Sequence, residues 1–261
     1  MKRLADELAV TPGKKVRLDR IDPDSTHGID KADAEKRFDK DRAELLELQN
    51  VLYAEARRSV LVVLQGIDAS GKDGTIRHVM SGLNPQGVTV TSFKAPDGEE
   101  RRHDYLWRVH RAVPEWGKIG IFNRSHYEDV LVVRVHNLVP KAVWSKRFEQ
   151  INDFERMLTE SGVHILKFFL WISKDEQKKR FEARLDDPSK NWKFSTDDTK
   201  ERKFWDEYIV AYEDMLAKCS TEAAPWHVVP ADHKWFRNLA VAQILRDEMR
   251  RMKLSYPKVA K

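Results

Sequence analysis

The chain has 261 residues, 41% hydrophobic and 34% charged, with 47 Lys and Arg against 42 Asp and Glu, a formal net charge of +5. That length suits one large domain or one domain with an appendage, and the apolar content excludes an intrinsically disordered chain. The longest purely aliphatic run, Val60 to Leu64, is far short of the roughly 20 residues a membrane helix needs. Met1-Lys2-Arg3 leads into Leu4-Ala5-Asp6-Glu7, with no apolar signal core. The single cysteine, Cys219, can form neither an internal disulfide nor a metal cluster, so a cytosolic protein without membrane contact is expected. A charge of +5 alone fits a solvated surface, a nucleic-acid binder or an enzyme for anionic substrates.

Residues 1–30 are polar, carry Pro12, Gly13, Pro23 and Gly28, and show no lasting periodicity, which reads as an extended arm. From Lys31 to Arg58, Ala32, Ala34, Phe38, Leu45, Leu46, Leu48 and Leu52 fall mostly at helical spacing with charges between, enough for one or two helices. Ser59 to Gln65 is a continuous apolar run ending in a glycine loop, the pattern of a strand buried on both faces. Further strands are predicted at Val88–Phe93, Lys118–Phe122, His164–Ile172 and Trp226–Pro230. Helices are predicted at Gly74–Leu83, Glu99–Ala112, Lys141–Glu160, Lys174–Leu185, Thr199–Lys218 and His233–Lys253. Strands alternating with helices imply an α/β fold, with a five-stranded parallel sheet flanked by helices.

The first strand runs into Gly66-Ile67-Asp68-Ala69-Ser70-Gly71-Lys72-Asp73-Gly74-Thr75, which contains G-x-x-x-x-G-K between a buried strand and a helix. Glycines allow a tight turn with N–H groups inward, the helix start adds partial positive charge, and Lys72 neutralises an anion directly. Gly66, Ala69, Ser70, Gly71, Lys72, Asp73, Gly74 and Thr75 are therefore the candidate phosphate-binding residues. The usual Ser or Thr after the lysine is Asp73 here, and Asp68 adds a second carboxylate within the loop. Two acids in a loop built for anions call for a cation, so a Mg²⁺-bridged phosphate site is expected. A helix-cap role competes with metal contact for Asp73.

The third strand ends in Asn123-Arg124-Ser125-His126-Tyr127-Glu128-Asp129. Ligands of doubly wound sheets sit beyond the C-terminal strand ends, so this cluster should face the phosphate loop. These two motifs, together with His103-Asp104-Tyr105-Leu106-Trp107-Arg108 and the stretch Glu176 to Trp192, resemble the polyphosphate kinase 2 family over about residues 31–253, on the branch acting on both nucleoside mono- and diphosphates. The sequence departs from the family pattern at Asn123, where many relatives have Asp, and at His126, where many have Trp. The resemblance implies a P-loop kinase fold in residues 58–261, with a helical lid at about 174–204 and an N-terminal arm and helical extension in residues 1–57. It also implies transfer of the terminal phosphoryl of inorganic polyphosphate to AMP and ADP (GMP and GDP are further candidate acceptors), with Mg²⁺, in a homo-oligomer.

By matching positions, Asp68 and Lys72 belong to the phosphate and metal site, with Glu128 as a second metal candidate. Arg124 belongs to the strand-end site, Asn123 supports it, and Arg184 lies on the lid. Arg180, four residues before Arg184, shares its helix face and is taken with the phosphate-binding set. The lid stretch carries ten Lys and Arg with eight acids, so it is not a simple basic tail. Phosphoryl transfer is mainly positioning and charge neutralisation, which Lys72, Arg124, Arg184 and Mg²⁺ would share; His126 is expected to pack rather than to carry phosphate. For the nucleotide, Lys94, Asp97, Arg101 and Arg134 are the candidates, with Glu100 and Arg108 nearby. The alternatives are an ATP-dependent nucleoside monophosphate kinase on the same fold and a non-catalytic nucleic-acid binder. The aromatics are not interleaved with a basic stripe as that last reading would need.

Overall fold

The computed structural model describes residues 3–186 and 200–258. Five strands, β1 (Ser59–Gln65), β2 (Val88–Ser92), β3 (Ile119–Asn123), β4 (Val163–Trp171) and β5 (Trp226–Pro230), form one parallel sheet in the order β2-β3-β1-β4-β5. The central strand β1 is buried at every residue. Its side chains alternate between two cores: Leu61 and Val63 face one, and Val60, Val62 and Leu64 the other. This is why its sequence is a continuous apolar run rather than an alternating one.

Among the described residues the helices include α1 (Leu4–Leu8), α2 (Lys31–Glu55), α3 (Lys72–Val79), α4 (Trp107–Arg111), α5 (Val132–Val135), α6 (Lys141–Glu160), α7 (Lys174–Leu185), α8 (Trp205–Cys219) and α9 (Lys234–Arg251). One core joins the sheet to α6 and α8 through Phe148, Ile151, Tyr212 and Met215. The other joins it to α2, α3 and α9 through Leu45, Leu52, Val79, Phe236 and Leu239. Residues 31–55 form a single helix, started by Asp30, whose side chain accepts from the Asp33 N–H at 2.9 Å. Its polar face pairs with α9 through Asp41–Arg246 and Glu44–Arg250. No helix among the described residues is long and apolar enough to cross a membrane.

The described part of the N-terminal stretch is not a free arm. Val10 N–H donates to the Trp226 carbonyl at 2.8 Å, Ala9 bridges His227 antiparallel, and Trp171 Nε1 donates to the Ile21 carbonyl at 2.8 Å. Leu4, Leu8 and Ile29 enter one core, and Val10, Val16 and Leu18 the other. These anchors are too widely spaced for a periodic signal, and of them Ala9 and Val10 cover the start of the outer edge of β5. The helix expected over Glu99–Ala112 is broken into a 3₁₀ turn (Gly98–Arg102) and α4. The Asp104 side chain accepts from the Leu106 N–H at 2.9 Å, a local turn that competes with continuous helix.

Candidate active site

The loop between β1 and α3 is held from behind through its carbonyls. Gln177 Nε2 donates to the Asp68 carbonyl at 3.0 Å, Arg180 Nη1 to those of Ala69 and Ser70 at 2.9 and 3.1 Å, and Arg237 Nη1 to that of Ser70 at 3.3 Å. With these acceptors occupied, the loop keeps donors for a ligand, since the first N–H groups of α3 have no intrahelical acceptor. Helix α3 starts at Lys72, two residues earlier than the spacing predicts, which places Lys72 and Asp73 in its first turn. Gly66 is required by space: a Cβ there would lie 2.8 Å from the Leu170 carbonyl oxygen. Gly71 has φ 103° and Ala69 φ 64°, two left-handed conformations within this one turn.

Lys72 is 8% exposed, and its Nζ donates to the Gly66 carbonyl at 2.7 Å. Burial, reinforced by Arg124, pushes its pKa down to about 8, although Asp68, Glu128 and Asp73 pull the other way. Across the loop, Arg124 adopts φ 60° directly after β3 and donates from Nη2 to Asp68 Oδ1 at 2.6 Å. Burial opposes its charge, but Glu128 and Asp68 outweigh that and hold its pKa above the ordinary arginine value. Glu128 accepts from Gln65 Nε2 at 3.2 Å, and Asp73 accepts from Asn123 Nδ2 at 2.8 Å. Asp68, Lys72, Asp73, Asn123, Arg124 and Glu128 therefore converge at the C-terminal ends of β1 and β3. The Ser70 and Thr75 hydroxyls are buried without a hydrogen-bond partner among the described residues.

Two cavities meet at this cluster. A small one of about 30 Å³ is lined by Gly66, Asp68, Arg124, Glu128, Trp205 and Tyr208 among others. A large one of about 850 Å³ opens from Arg124 and Glu128 on the other side. Its walls include Phe93, Lys94, Arg101 and Arg108, and an aliphatic side made by Val132, Val133, Leu138, Val139 and Val143. Of the residues expected to bind nucleotide, Lys94 and Arg101 line it. Asp97 instead lines an outer groove with Thr89 and Thr91, and Arg134 is paired with Asp214 at 2.7 Å and lies over the Trp144 ring.

Arg180 is not on the phosphate side. Besides the two loop carbonyls, its guanidinium donates to the carbonyls of Ala231 and Asp232 and to Glu176, so it braces the loop against the end of β5. Arg184, one turn on, lines neither cavity; its guanidinium lies 5.4 Å from the Phe181 ring centre. Lys190 and Lys193 of the lid stretch lie outside the described residues. His126 is 1% exposed and its Nε2 lies 3.2 Å from Glu155 Oε1, a packed position as expected.

The sequence reading missed the contribution of α6. Val143, Lys146, Arg147 and Gln150 form one helical face along the large cavity, and Arg147 pairs with Asp129 at 2.8 Å while lying over Tyr105. Asp129 is pushed up by burial in spite of Arg147. The i, i+3, i+4, i+7 spacing was the available signal, but a half-polar helix face reads equally well as solvated surface.

A parallel sheet in this order, with a glycine-lysine loop after its central strand and an arginine at the neighbouring strand end, defines a P-loop kinase fold. The family model described as Polyphosphate kinase 2 matches residues 28–257, and the chain belongs to that family. The chain is 52% identical over 250 residues to the AMP/ADP-polyphosphate phosphotransferase of Meiothermus ruber, covering 95% of this chain and 94% of that one. It is 51% identical over 225 residues to the ADP-polyphosphate phosphotransferase of Rhodopseudomonas palustris, covering 82% and 78% respectively. The crystal structure of polyphosphate kinase 2 from Arthrobacter aurescens superposes with a TM-score of 0.96 at 47% identity, covering 100% of this chain and 93% of that one.

Proposed function

We propose that the protein transfers the terminal phosphoryl group of inorganic polyphosphate to AMP and ADP, giving ADP and ATP, by direct displacement. One observation carries this reading: Arg124 and Glu128 are shared between the cavity at the phosphate loop and the large cavity beyond it. A donor held by the loop and an acceptor lodged in the large cavity would therefore meet at Arg124. The likeness to polyphosphate phosphotransferases for AMP and ADP supports that donor and those acceptors.

Phosphoryl transfer through a loose transition state needs alignment and neutralisation rather than a covalent intermediate. Lys72 and the N–H groups of the loop bind the donor, Arg124 stabilises the moving phosphoryl, and the lid closes Arg184 onto it and excludes water. The cationic wall of Lys94, Arg101 and Arg108 suits the acceptor phosphates, and the aliphatic wall suits the nucleoside. Contact with such a wall does not select a base, so the proposal extends to GMP and GDP. It extends also to a homo-oligomer and to a cytosolic location, which sizing of the purified protein and cell fractionation test.

Mg²⁺ belongs to the same proposal. Among the described residues no three acidic, histidine or cysteine side chains gather as a ready metal cage. Asp68 and Glu128 nevertheless present hard carboxylate oxygens to one small cavity, which fits an ion held by one or two carboxylates with phosphate oxygens and water. These two residues would hold it, and the ion would supply charge neutralisation on the phosphates.

The test is incubation with AMP or ADP, Mg²⁺ and either polyphosphate or ATP as donor, with nucleotides resolved by chromatography. ADP and ATP formed from polyphosphate are expected. Product from AMP with ATP alone would assign the protein to the ATP-dependent monophosphate kinases, and no product with either donor would remove the kinase reading.

A further inference from the structure

Arg237 stands in the first turn of α9, only 3% exposed, with its guanidinium pressed against the phosphate loop. A Cβ on Gly71 would lie 1.9 Å from its Nη1, and one on Gly74 3.3 Å from its Nη2. The glycines of the loop thus leave room for a cation behind it as well as for the turn itself. Its acceptors are the Ser70 carbonyl and the Oδ1 of its neighbour Asn238, and it makes no ion pair with a carboxylate among the described residues.

A buried, unpaired guanidinium is costly, and as a brace it is redundant, because Arg180 already donates to the same Ser70 carbonyl. Burial and the nearby Arg180 push its pKa down to about 9, which still leaves it charged at neutral pH. What this side chain adds that a neutral brace would not is a fixed positive charge directly behind the loop, where water screens it weakly.

We propose that Arg237 is a positioning residue whose buried charge, acting through the loop, sets the affinity for the polyanionic donor. The inference rests on the polyphosphate reading above. Because its charge destabilises the ligand-free fold and favours the bound anion, removal should separate stability from binding.

The test compares wild type, Arg237→Met and Arg237→Lys by calorimetric titration with tripolyphosphate, by thermal melting without ligand, and by steady-state kinetics. Arg237→Met should weaken tripolyphosphate about tenfold, with the loss appearing in the polyphosphate KM rather than in the KM for ADP. Its ligand-free Tm should equal or exceed that of wild type. Arg237→Lys, which keeps the charge but not the fork, should recover most of the affinity. A lowered Tm or an unfolded Arg237→Met protein would make the residue a brace and overturn the inference. So would tripolyphosphate affinity within twofold of wild type in Arg237→Met, or a Lys variant as weak as the Met variant. A wild-type protein that binds no tripolyphosphate would overturn the polyphosphate reading and the inference with it; normal wild-type binding with an unaffected Met variant overturns the inference alone.

Discussion

Asn123 Nδ2 donates to Asp73 Oδ1 across 2.8 Å and so joins the end of β3 to the first turn of α3. Two departures from common patterns explain one another here: an acid follows the loop lysine, and an amide rather than an acid ends the strand. The Asn123→Asp substitution would set two carboxylates at hydrogen-bond distance. Repulsion exists only while both are ionised, so the Tm of the variant should fall below wild type by a few degrees at pH 8 and by less at pH 5. Melting curves of equal depression at both pH values would show that charge repulsion is not the cause.

Much of the fold was legible because the sheet is buried on both faces. Ser59–Gln65 and Trp226–Pro230 fall at the predicted bounds, as do the helices Lys141–Glu160 and Lys174–Leu185, since their hydrophobic patterns are long or sharply bounded. Local competition hid the break at Asp104, and wide spacing hid the anchors of the N-terminal stretch. The loop and strand-end residues were legible because each group is contiguous in sequence and directly follows a buried strand. Arg180 and Arg184 could not be told apart at i, i+4 spacing: only the approach of the segment after β5 supplies the Ala231 and Asp232 carbonyls that engage Arg180. Arg237 carried no local signal at all, because its partner surface is a glycine turn more than 160 residues away in the chain.

Lys72 gives the activity a predictable pH dependence. Its pKa near 8 in the ligand-free protein means that its charge, and with it donor capture, is lost as pH rises through that value. The kcat/KM for polyphosphate should therefore fall about tenfold per pH unit above pH 8, whereas kcat should hold to higher pH because a bound polyanion restores the proton. A kcat/KM that is level to pH 9.5 at fixed ionic strength would contradict this. The stability effect has the opposite sense. The folded value lies below the ordinary 10.5, so the penalty for burying the charge is full below pH 8 and relaxes between 8 and 10.5. Ligand-free Lys72→Met should melt above wild type at pH 7, with the gap closing toward pH 10.

Arg180 and Arg184 should respond differently to the same substitution. Arg180→Ala removes donors to four backbone carbonyls and leaves Glu176 without its partner. Losing a buried hydrogen-bonded cation costs about 3–5 kcal/mol, which at this chain length lowers Tm by roughly 10 °C. Arg184→Ala should leave Tm within about 2 °C while lowering kcat on the order of 10³, the effect expected for an arginine that reaches the moving phosphoryl. Melting and turnover measured on the same preparations decide the matter, and an Arg184→Ala enzyme with turnover within a few-fold of wild type would remove it from the transfer step.

The network behind the strand-end loop also buries charge, and here it is paired. Lys167 in β4 is fully buried; its Nζ donates to Glu155 Oε2 at 2.5 Å, to the Tyr127 hydroxyl at 2.8 Å and to the Cys219 carbonyl at 2.7 Å. Glu155 Oε1 also accepts from Tyr127 at 2.7 Å, tying α6 to the turn that follows Arg124. Lys167 holds the Glu155 carboxyl below the usual carboxylate range against the opposing effect of burial. Lys167→Met would strand that carboxylate in the core at a cost of about 3–5 kcal/mol, lowering Tm by roughly 10 °C. The double variant Glu155→Gln with Lys167→Met should recover much of the loss, since a neutral amide can still accept from Tyr127. The sign with pH follows from the same pair: the stabilisation is present above the ordinary carboxylate pKa and disappears as pH falls through the lowered folded value. In Lys167→Met the stranded acid protonates more readily, so the deficit in Tm should shrink toward pH 4. A double-mutant cycle in which the two substitutions are additive would show that Glu155 and Lys167 do not stabilise one another.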